Sequence, residues 1–413
     1  MGMTASSPSR PTSPRPERRP VEQYVVAVIL VLLLVGAGYA IWSAGRTTPP
    51  SAPPYVPQTR PYYVAANPLV WNYTPSGTNE LTGVPLGSKE KDIYVVPGGP
   101  HPLTYLNGTY PMESFQKCGY QQYPNSTFAS PETRPVSQAY LGLAGPVLYA
   151  AVGDTLQVEF RNNCAFPVSL TAPGLATGSA APVPEGGTAN YTWPVTASAG
   201  PGPAGPGSVL RTYTDGAAPT NGTDTGLFGG IVVSEDADAD PNGTPADVAA
   251  NLVLLLGAFN ETESPYFAYN EAHYVPDVYA LQAGFVRPAI NGFIFGNLPM
   301  ITLTQGEHVR WYVGNVGPTP TVPFWEGNTL VENGSNVVAA ELGPGNTTSL
   351  DMWTNNSGVW LVESGDPSDL AGGMDARYTV LAAQAAAAPV PAGPSTGATD
   401  PSPAATLRRA ATA

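Results

Sequence analysis

The chain has 413 residues, of which 42% are hydrophobic and 12% are charged, and its formal net charge is −14. This length is enough for about two domains with their own cores. The 45 glycines and 47 prolines favour short strands joined by turns over helices. The acidic balance excludes nucleic acid and anionic lipid as partners of the folded part, and it selects no other partner.

The N-terminal region has a tail followed by a long apolar run. Residues 1–23 are rich in Pro, Ser and Arg, which predicts a disordered cytosolic tail. Residues 24–44 are uncharged, and a run of this length can cross a bilayer as a helix. Arginines before the run outnumber the one that closely follows it, so the N-terminus should stay inside, with the bulk extracellular or lumenal. The alternative is a signal peptide cleaved near residues 43–45, although its apolar core would be shorter. We predict a single-pass, type II membrane anchor.

An internal repeat organises the rest of the chain. Residues 153–163 read as a turn and a strand with alternating polarity, and residues 306–315 repeat the pattern. The residues expected to face inward are Leu156, Val158, Phe160, Val309, Trp311 and Val313. Two tandem β-sandwiches follow from this repeat.

The repeat sets the predicted boundaries. A Pro-rich stalk occupies residues 45–61, the first sandwich residues 62–236 and the second residues 248–382. The linker, residues 237–247, is acidic; its carboxylates suggest calcium, but a solvated linker is the simpler interpretation. Residues 383–413 form an Ala/Pro-rich tail without the capacity for a core, which predicts disorder.

Several motifs in chain order resemble cupredoxin domains. The pair of repeats is similar to one two-domain unit of the ceruloplasmin/hephaestin ferroxidase family within the multicopper oxidases, whose relatives include the A domains of coagulation factors V and VIII. The matching stretches are residues 62–66, 71–77, 141–148, 152–155, 160–167, 251–259, 290–299 and 360–380. The resemblance covers about residues 62–382. It implies an all-β fold, with two tandem cupredoxin-like Greek-key β-sandwiches after the N-terminal transmembrane helix.

The resemblance also locates the copper-ligand positions of the family, and this chain fills nearly all of them with other residues. Residues 360–374 keep the frame W-L-x-H-C-H-x-x-x-H-x-x-x-x-M, in which Met374 alone is retained as a ligand. The degenerate positions are Thr171, Pro173, Thr214, Gly216, Thr321, Phe324, Glu326, Glu363, Ser364, Gly365 and Asp369.

The histidine count supports the same conclusion. Blue copper needs a thiolate and two imidazoles, and the resemblance implies eight further imidazoles for a trinuclear cluster. The chain has three histidines, His101, His273 and His308, and none occupies a ligand position. We therefore expect no copper cofactor, no catalytic residues and a pseudoenzyme that serves as a non-catalytic structural or protein-interaction module.

Two alternatives stay open: a copper-dependent multicopper oxidase or ferroxidase, and a hard-cation (calcium) module using Glu326, Glu363 and Asp369. The expected partners are the membrane, through residues 24–44, and an unidentified protein, with a homo-oligomer as a further possibility.

Two kinds of covalent modification are also predicted. Cys118 and Cys164 are the only cysteines, and in an oxidising compartment they form one disulfide, with two free buried thiols as the alternative. In a eukaryote, ten Asn-x-Ser/Thr sites after the apolar run would be N-glycosylated. These sites are Asn72, Asn107, Asn125, Asn190, Asn221, Asn242, Asn260, Asn333, Asn346 and Asn355.

Overall fold

The structure, a computed structural model, describes residues 55–86, 114–176, 180–202, 205–274 and 286–383. The predicted tail, the predicted membrane span at residues 24–44 and the C-terminal tail from residue 384 lie outside the described residues. So does the stalk up to residue 54. Within the described part, the helices are too short and too polar to cross a bilayer. The described residues are mostly β, as the composition predicted.

The first half of the described chain, up to Ser234, contains two four-stranded sheets and a two-stranded ribbon. One sheet has the order β4-β1-β6-β8, the other has the order β5-β10-β9-β7, and β2 pairs with β3 in the ribbon. The strands are β1 (Thr59–Asn72), β2 (Thr78–Asn79), β3 (Val84–Pro85), β4 (Ser114–Tyr123), β5 (Leu148–Ala151), β6 (Thr155–Asn162), β7 (Leu170–Thr171), β8 (Thr188–Pro194), β9 (Ser208–Asp215) and β10 (Phe228–Ser234).

The second half, from Ala250, contains a six-stranded and a four-stranded sheet. Their orders are β12-β11-β14-β18-β16-β17 and β13-β20-β19-β15. The strands are β11 (Ala250–Asn260), β12 (Val286–Ile290), β13 (Ile301–Thr304), β14 (His308–Asn315), β15 (Pro323–Trp325), β16 (Leu330–Glu332), β17 (Ser335–Val337), β18 (Thr347–Trp353), β19 (Gly358–Ser364) and β20 (Asp375–Leu381).

The strand pairing is the same in the two halves. The parallel pair β1–β6 corresponds to β11–β14, and the parallel pair β5–β10 corresponds to β13–β20. The antiparallel pair β9–β10 likewise corresponds to β19–β20. The internal repeat read from the sequence therefore coincides with a duplication of strand order. The division into domains at residues 237–247 stays a prediction.

The helices are short and lie between strands. The α-helices are α1 (Pro219–Thr225), α2 (Phe267–Tyr274) and α3 (Pro367–Ala371), and the 3₁₀ helices span Val136–Leu141, Asp236–Asp238 and Glu261–Glu263. Helix α3 begins where the carboxylate of Asp366 accepts hydrogen bonds from the backbone N–H groups of Ser368 and Asp369. This cap fixes the loop that carries the retained Met374.

The two repeated strands differ in how they are buried. In β6 the predicted inward residues Leu156, Val158 and Phe160 are buried, and the pattern alternates as expected. In β14 every residue after His308 is buried on both faces. The face expected to be polar is covered because Tyr312 and Arg310 hydrogen-bond Ser208 of β9.

The hydrophobic core is continuous between the two halves. The larger cluster of buried side chains combines Tyr73, Phe115 and Phe228 of the first half with Leu254 and Trp311 of the second. A second cluster is built mainly from β4, β6 and β10 and contains both cysteines. The described residues, from Tyr55 to residue 383, consequently form one compact unit.

A loop after β12 links the first half to the region around Met374. Asn291 has a φ of 52°, and its backbone oxygen accepts a hydrogen bond from Leu143. Phe295 has a φ of 53°, and its N–H donates to the carbonyl of Gly373. Left-handed backbone is costly for residues other than glycine, so these contacts must hold the loop in place.

Candidate functional site

Four of the predicted ligand positions in the second half lie together inside the fold. Thr321 Oγ1 is 3.6 Å from Met374 Sδ, and Ser364 Oγ is 3.4 Å from Asp369 Oδ2. The backbone N–H of Ser364 donates to the carbonyl of Met374 at 3.0 Å. All four side chains are buried, with at most 8% of their surface exposed. We call Thr321, Ser364, Asp369 and Met374 the inner group.

The local backbone explains why these residues meet. The N–H of Gly365 donates to the carbonyl of Val322, which joins the end of β19 to the chain before β15. The N–H of Met374 donates to the carbonyl of Asp369, which closes the turn after α3. Burial raises the pKa of Asp369 to about 6, with the nearby Asp366 charge acting in the same direction.

Two of the remaining positions of the second half, Phe324 and Glu363, lie on the face of the same sheet opposite to Ser364, whereas Gly365 follows the end of β19. Phe324 and Glu363 are cross-strand partners, and Glu363 is also paired with Asp375 of β20. Glu326 is exposed, and its N–H donates to the carbonyl of Leu361. We call Phe324, Glu326, Glu363 and Asp375 the outer group. Burial, followed by the charge of Glu326, raises the pKa of Glu363.

Asp375 is a titratable residue that the sequence motifs did not single out. Its side chain is 3% exposed, and its Oδ1 has no hydrogen-bond partner among the described residues. Burial raises its pKa to about 7, and the charge of Glu363 adds to that rise. The signal in the sequence was the alternation of β20, in which Asp375 precedes the inward residues Ala376 and Tyr378.

The predicted positions of the first half form a separate polar turn. Thr171 of β7 and Thr214 of β9 are cross-strand partners, and the N–H of Gly216 donates to the carbonyl of Ser169. Pro173 lies exposed in a turn and does not join them. The acidic residue in this region is Asp215, which is not one of the copper-ligand positions located by the family resemblance.

Asp215 has a structural role. Its carboxylate is almost fully buried and accepts hydrogen bonds from the backbone N–H groups of Ser169, Ala217 and Ala218. Burial raises its pKa, while these three donors oppose the rise. The carboxylate satisfies the backbone at the start of α1, and it has no free oxygen directed at a ligand.

The calcium alternative requires Glu326, Glu363 and Asp369 to converge. The structure separates them, because Asp369 belongs to the inner group and the two glutamates belong to the outer group. Among the residues that the structure describes, no three carboxylate, imidazole or thiol groups are placed to hold a metal ion together.

The cysteine and glycosylation predictions have different outcomes. Cys118 and Cys164 form a disulfide, as predicted, and both are buried. Of the ten glycosylation sites, six are exposed: Asn125, Asn190, Asn242, Asn333, Asn346 and Asn355. Three are half-buried, Asn72, Asn221 and Asn260, and Asn107 lies outside the described residues. Glycosylation itself stays a prediction.

Comparison with known proteins gives a consistent set of relatives. The chain is 29% identical to human ceruloplasmin over 352 residues and 31% identical to rat hephaestin over 339 residues. It is 27% identical to human ferroxidase HEPHL1 over 348 residues. Each alignment covers 78% of this chain. The chain belongs to the multicopper oxidase superfamily and is ceruloplasmin/hephaestin-like.

This multicopper oxidase relative spans only part of those proteins. The alignments cover 32% of ceruloplasmin and 29% of hephaestin and of HEPHL1. No family model matches the sequence.

Solved structures were compared as well. A multicopper oxidase matches with a TM-score of 0.47 and 14% identity, covering 78% of this chain and 88% of the other. A blue copper oxidase from Nitrosomonas europaea matches with a TM-score of 0.48 and 12% identity, covering 79% and 86%. The family assignment therefore depends on the sequence relatives.

The relatives correct two of our expectations. We expected a pseudoenzyme without a copper cofactor, but the relatives are ceruloplasmin, hephaestin and a protein named as a ferroxidase, which point to an enzyme and to copper. These expectations were wrong because a ligand count tests only the positions that this chain supplies, and the chain spans about a third of its relatives.

The described residues of the chain do not themselves fit blue copper. The inner group offers two hydroxyls, a carboxylate and a thioether, where such a site uses a thiolate and two imidazoles. Both cysteine sulfurs are bonded to each other. His308 lies on a different sheet, where its ring stacks on Trp353 at 4.3 Å and bonds Asp351 at 3.1 Å. We derive no step through copper at these positions.

Proposed function

We propose that the chain is a unit of a ferroxidase-type multicopper oxidase, an oxidoreductase that acts on ferrous iron. The observation that carries this proposal is its identity of about 30% to ceruloplasmin and hephaestin over 78% of its length. The relative named as a ferroxidase, HEPHL1, aligns over the same share of the chain.

The duplicated strand order supports the finer architecture that we propose for this unit. It comprises two tandem cupredoxin-like Greek-key sandwiches, residues 62–236 and 248–382. The repeated parallel pairs β1–β6 and β11–β14 are the structural support for this division.

In the proposed enzyme, copper is held by residues outside the described part of this chain. The inner group lacks the required donors, so the ligands would belong to a longer polypeptide or to a partner protein. The contribution of this unit would be electrostatic, because a net charge of −14 raises the local concentration of cations such as ferrous iron. The exposed Glu326 and the half-buried Glu363 would carry part of this field.

The proposed location is outside the cytosol. The Cys118–Cys164 disulfide is typical of an oxidising compartment. The relatives also suggest an extracellular or membrane-associated protein. Residues 24–44 would anchor the unit to the membrane, with the bulk of the chain on the extracellular or lumenal side.

The test measures iron oxidation by the full chain together with its bound partners. The protein is purified under mild conditions, and conversion of ferrous to ferric iron, oxygen consumption and copper content are measured. We expect oxygen-dependent oxidation above the rate in buffer, which is lost on copper chelation and recovered on copper addition. The chain purified without partners is the control. Copper-free, inactive material in the complex as well as in the isolated chain would overturn the proposal.

A double variant tests the electrostatic role of the unit. Glu326→Gln with Glu363→Gln should raise the KM for ferrous iron severalfold and leave kcat unchanged, because the substituted groups act before the chemical step. The matched control, Glu332→Gln with Glu341→Gln, removes the same number of charges without touching the outer group. An unchanged KM in the double variant would remove the outer group from the proposal.

A further inference from the structure

Lys117 and Glu261 form a fully buried pair. Lys117 Nζ lies 2.5 Å from Glu261 Oε1, and both side chains are 0% exposed. Lys117 belongs to β4 in the first half, and Glu261 follows directly after β11 in the second. The pair therefore connects two elements that are far apart in sequence.

Aromatic rings surround the pair, with the Tyr73 hydroxyl and Asp224 as polar neighbours. The Lys117 ammonium lies 5.4 Å from the centre of the Tyr73 ring and 5.9 Å from that of Phe259. Two charges in such a setting lose their hydration, and their mutual attraction only partly offsets the loss. A neutral amide in the same place would carry no such penalty.

Polar contacts position the reacting atoms for condensation. The Tyr73 hydroxyl donates to Glu261 Oε1 at 2.6 Å, which polarises the carboxyl carbon for attack by an amine. Glu261 Oε2 is buried without a hydrogen-bond partner. Lys117 Nζ also donates to the backbone carbonyl of Asp224 at 2.6 Å, which fixes its position beside the carboxyl group.

We propose that Lys117 and Glu261 become joined by an intramolecular amide bond between Nζ and Cδ. The Lys117 ammonium passes one proton to the Glu261 carboxylate, which it contacts directly, and the neutral amine attacks Cδ. The new N–C bond forms, and the C–Oε2 bond breaks. The two protons that leave Nζ depart with Oε2 as one water molecule, so the condensation needs no oxidant, reductant or cofactor.

The amide bond would lie next to the disulfide. Cys118 adjoins Lys117, so β4 would be tied covalently both to Cys164 and to the second half. Each cross-link restricts the unfolded chain, and the restriction grows with the loop that it closes. The amide bond alone would keep the halves connected after reduction of the disulfide or a break in the intervening chain.

The experiment is mass spectrometry of the full chain after reduction, denaturation and protease digestion. We expect the peptide with Lys117 joined to the peptide with Glu261, at the sum of their masses less one water, and no tryptic cleavage after Lys117. Two separate peptides in the wild-type protein, with Lys117 cleaved and free to react with an acylating reagent after denaturation, would overturn the proposal. This measurement requires no variant.

Two variants check the chemistry. Lys117→Arg keeps the positive charge but cannot form the amide, so the joined peptide should be absent. Tyr73→Phe keeps the ring but removes the hydroxyl that donates to Glu261 Oε1, so the cross-linked fraction after refolding should fall at least severalfold. An undiminished cross-linked fraction in Tyr73→Phe would overturn the role assigned to the Tyr73 hydroxyl. A joined peptide that persists in Lys117→Arg would overturn the assignment of the linkage.

Discussion

Thr321 Oγ1 donates a hydrogen bond to Met374 Sδ across 3.6 Å in the interior of the second half. A thioether is a weak acceptor, so this contact reflects enforced proximity more than a strong bond. Ser364 and Asp369 lie beside it, also in contact with each other. The backbone thus brings these four positions together with none of the copper-binding side chains present.

A rebuilt donor set should therefore bind copper at the inner group. We predict that the triple variant Thr321→His, Ser364→Cys, Asp369→His, with Met374 retained, binds about one Cu²⁺ per chain and gains the intense visible absorption of a copper–thiolate site. Metal analysis and absorption spectroscopy check this outcome, and a cooperative melt confirms folding.

The matched control keeps Ser364 and carries only the two histidines. Without a thiolate it should show no intense visible band, whatever copper it binds. A folded triple variant that takes up no copper would mean that the backbone no longer holds the four positions in ligand geometry.

The sequence was sufficient to predict the elements that rest on local patterns. Alternation in β6 predicted the inward residues because a strand exposes alternate side chains to the core. The sequence did not predict which ligand positions would meet: the one convergence it suggested, of Glu326, Glu363 and Asp369, is not found, because Asp369 follows the turn into α3 and lies apart from the two glutamates.

The sequence did not predict side-chain contacts between residues that are far apart along the chain. Arg310 reads as an outward residue of β14, yet its guanidinium bonds Asp247, 63 residues away, and Asp351, 41 residues away. The sequence did not single out Asp375, and the structure identified it through its cross-strand pairing with Glu363. The enzyme class was also missed, because a local ligand count carries no information on what lies beyond the chain.

Replacing Arg310 should strongly destabilise the fold. Its side chain is 2% exposed and bridges Asp247 at 2.7 Å and Asp351 at 2.7 Å. Arg310→Met leaves two carboxylates without their partner, and we expect a loss of about 3 kcal/mol in the free energy of unfolding, measured by urea denaturation.

The control for this substitution is Arg377→Met, which breaks the more exposed pair with Glu80. We expect that variant to lose less than about 1 kcal/mol. Equal losses in the two variants would contradict the importance assigned to burial.

Asn291 should tolerate no ordinary substitution. Its φ is 52°, its Oδ1 accepts from the N–H of Leu255, and its Nδ2 donates to the carbonyls of Tyr140 and Val253. Asn291→Ala removes these bonds and retains the strained backbone, so we expect a loss of about 3 kcal/mol in unfolding free energy. Asn291→Gly relieves the strain and should recover about 1 kcal/mol of that loss. Thermal and urea melts distinguish the two variants, and identical melts would mean that backbone strain is absent.

Asp375 should make the protein less stable as the pH rises. Its pKa is about 7 in the folded chain and about 4 when unfolded, so between these values the folded state binds the proton more tightly. The contribution of Asp375 to the free energy of unfolding is therefore fully present below pH 4 and is lost as the pH rises to about 7. Asp375→Asn has no such titration, and we expect its stability relative to wild type to increase by about 4 kcal/mol between pH 4 and pH 7.5. Asp369 titrates in both the wild type and the variant, so its contribution to the difference in stability cancels. Urea melts across this range check the slope, and a pH-independent difference would show that Asp375 is not desolvated.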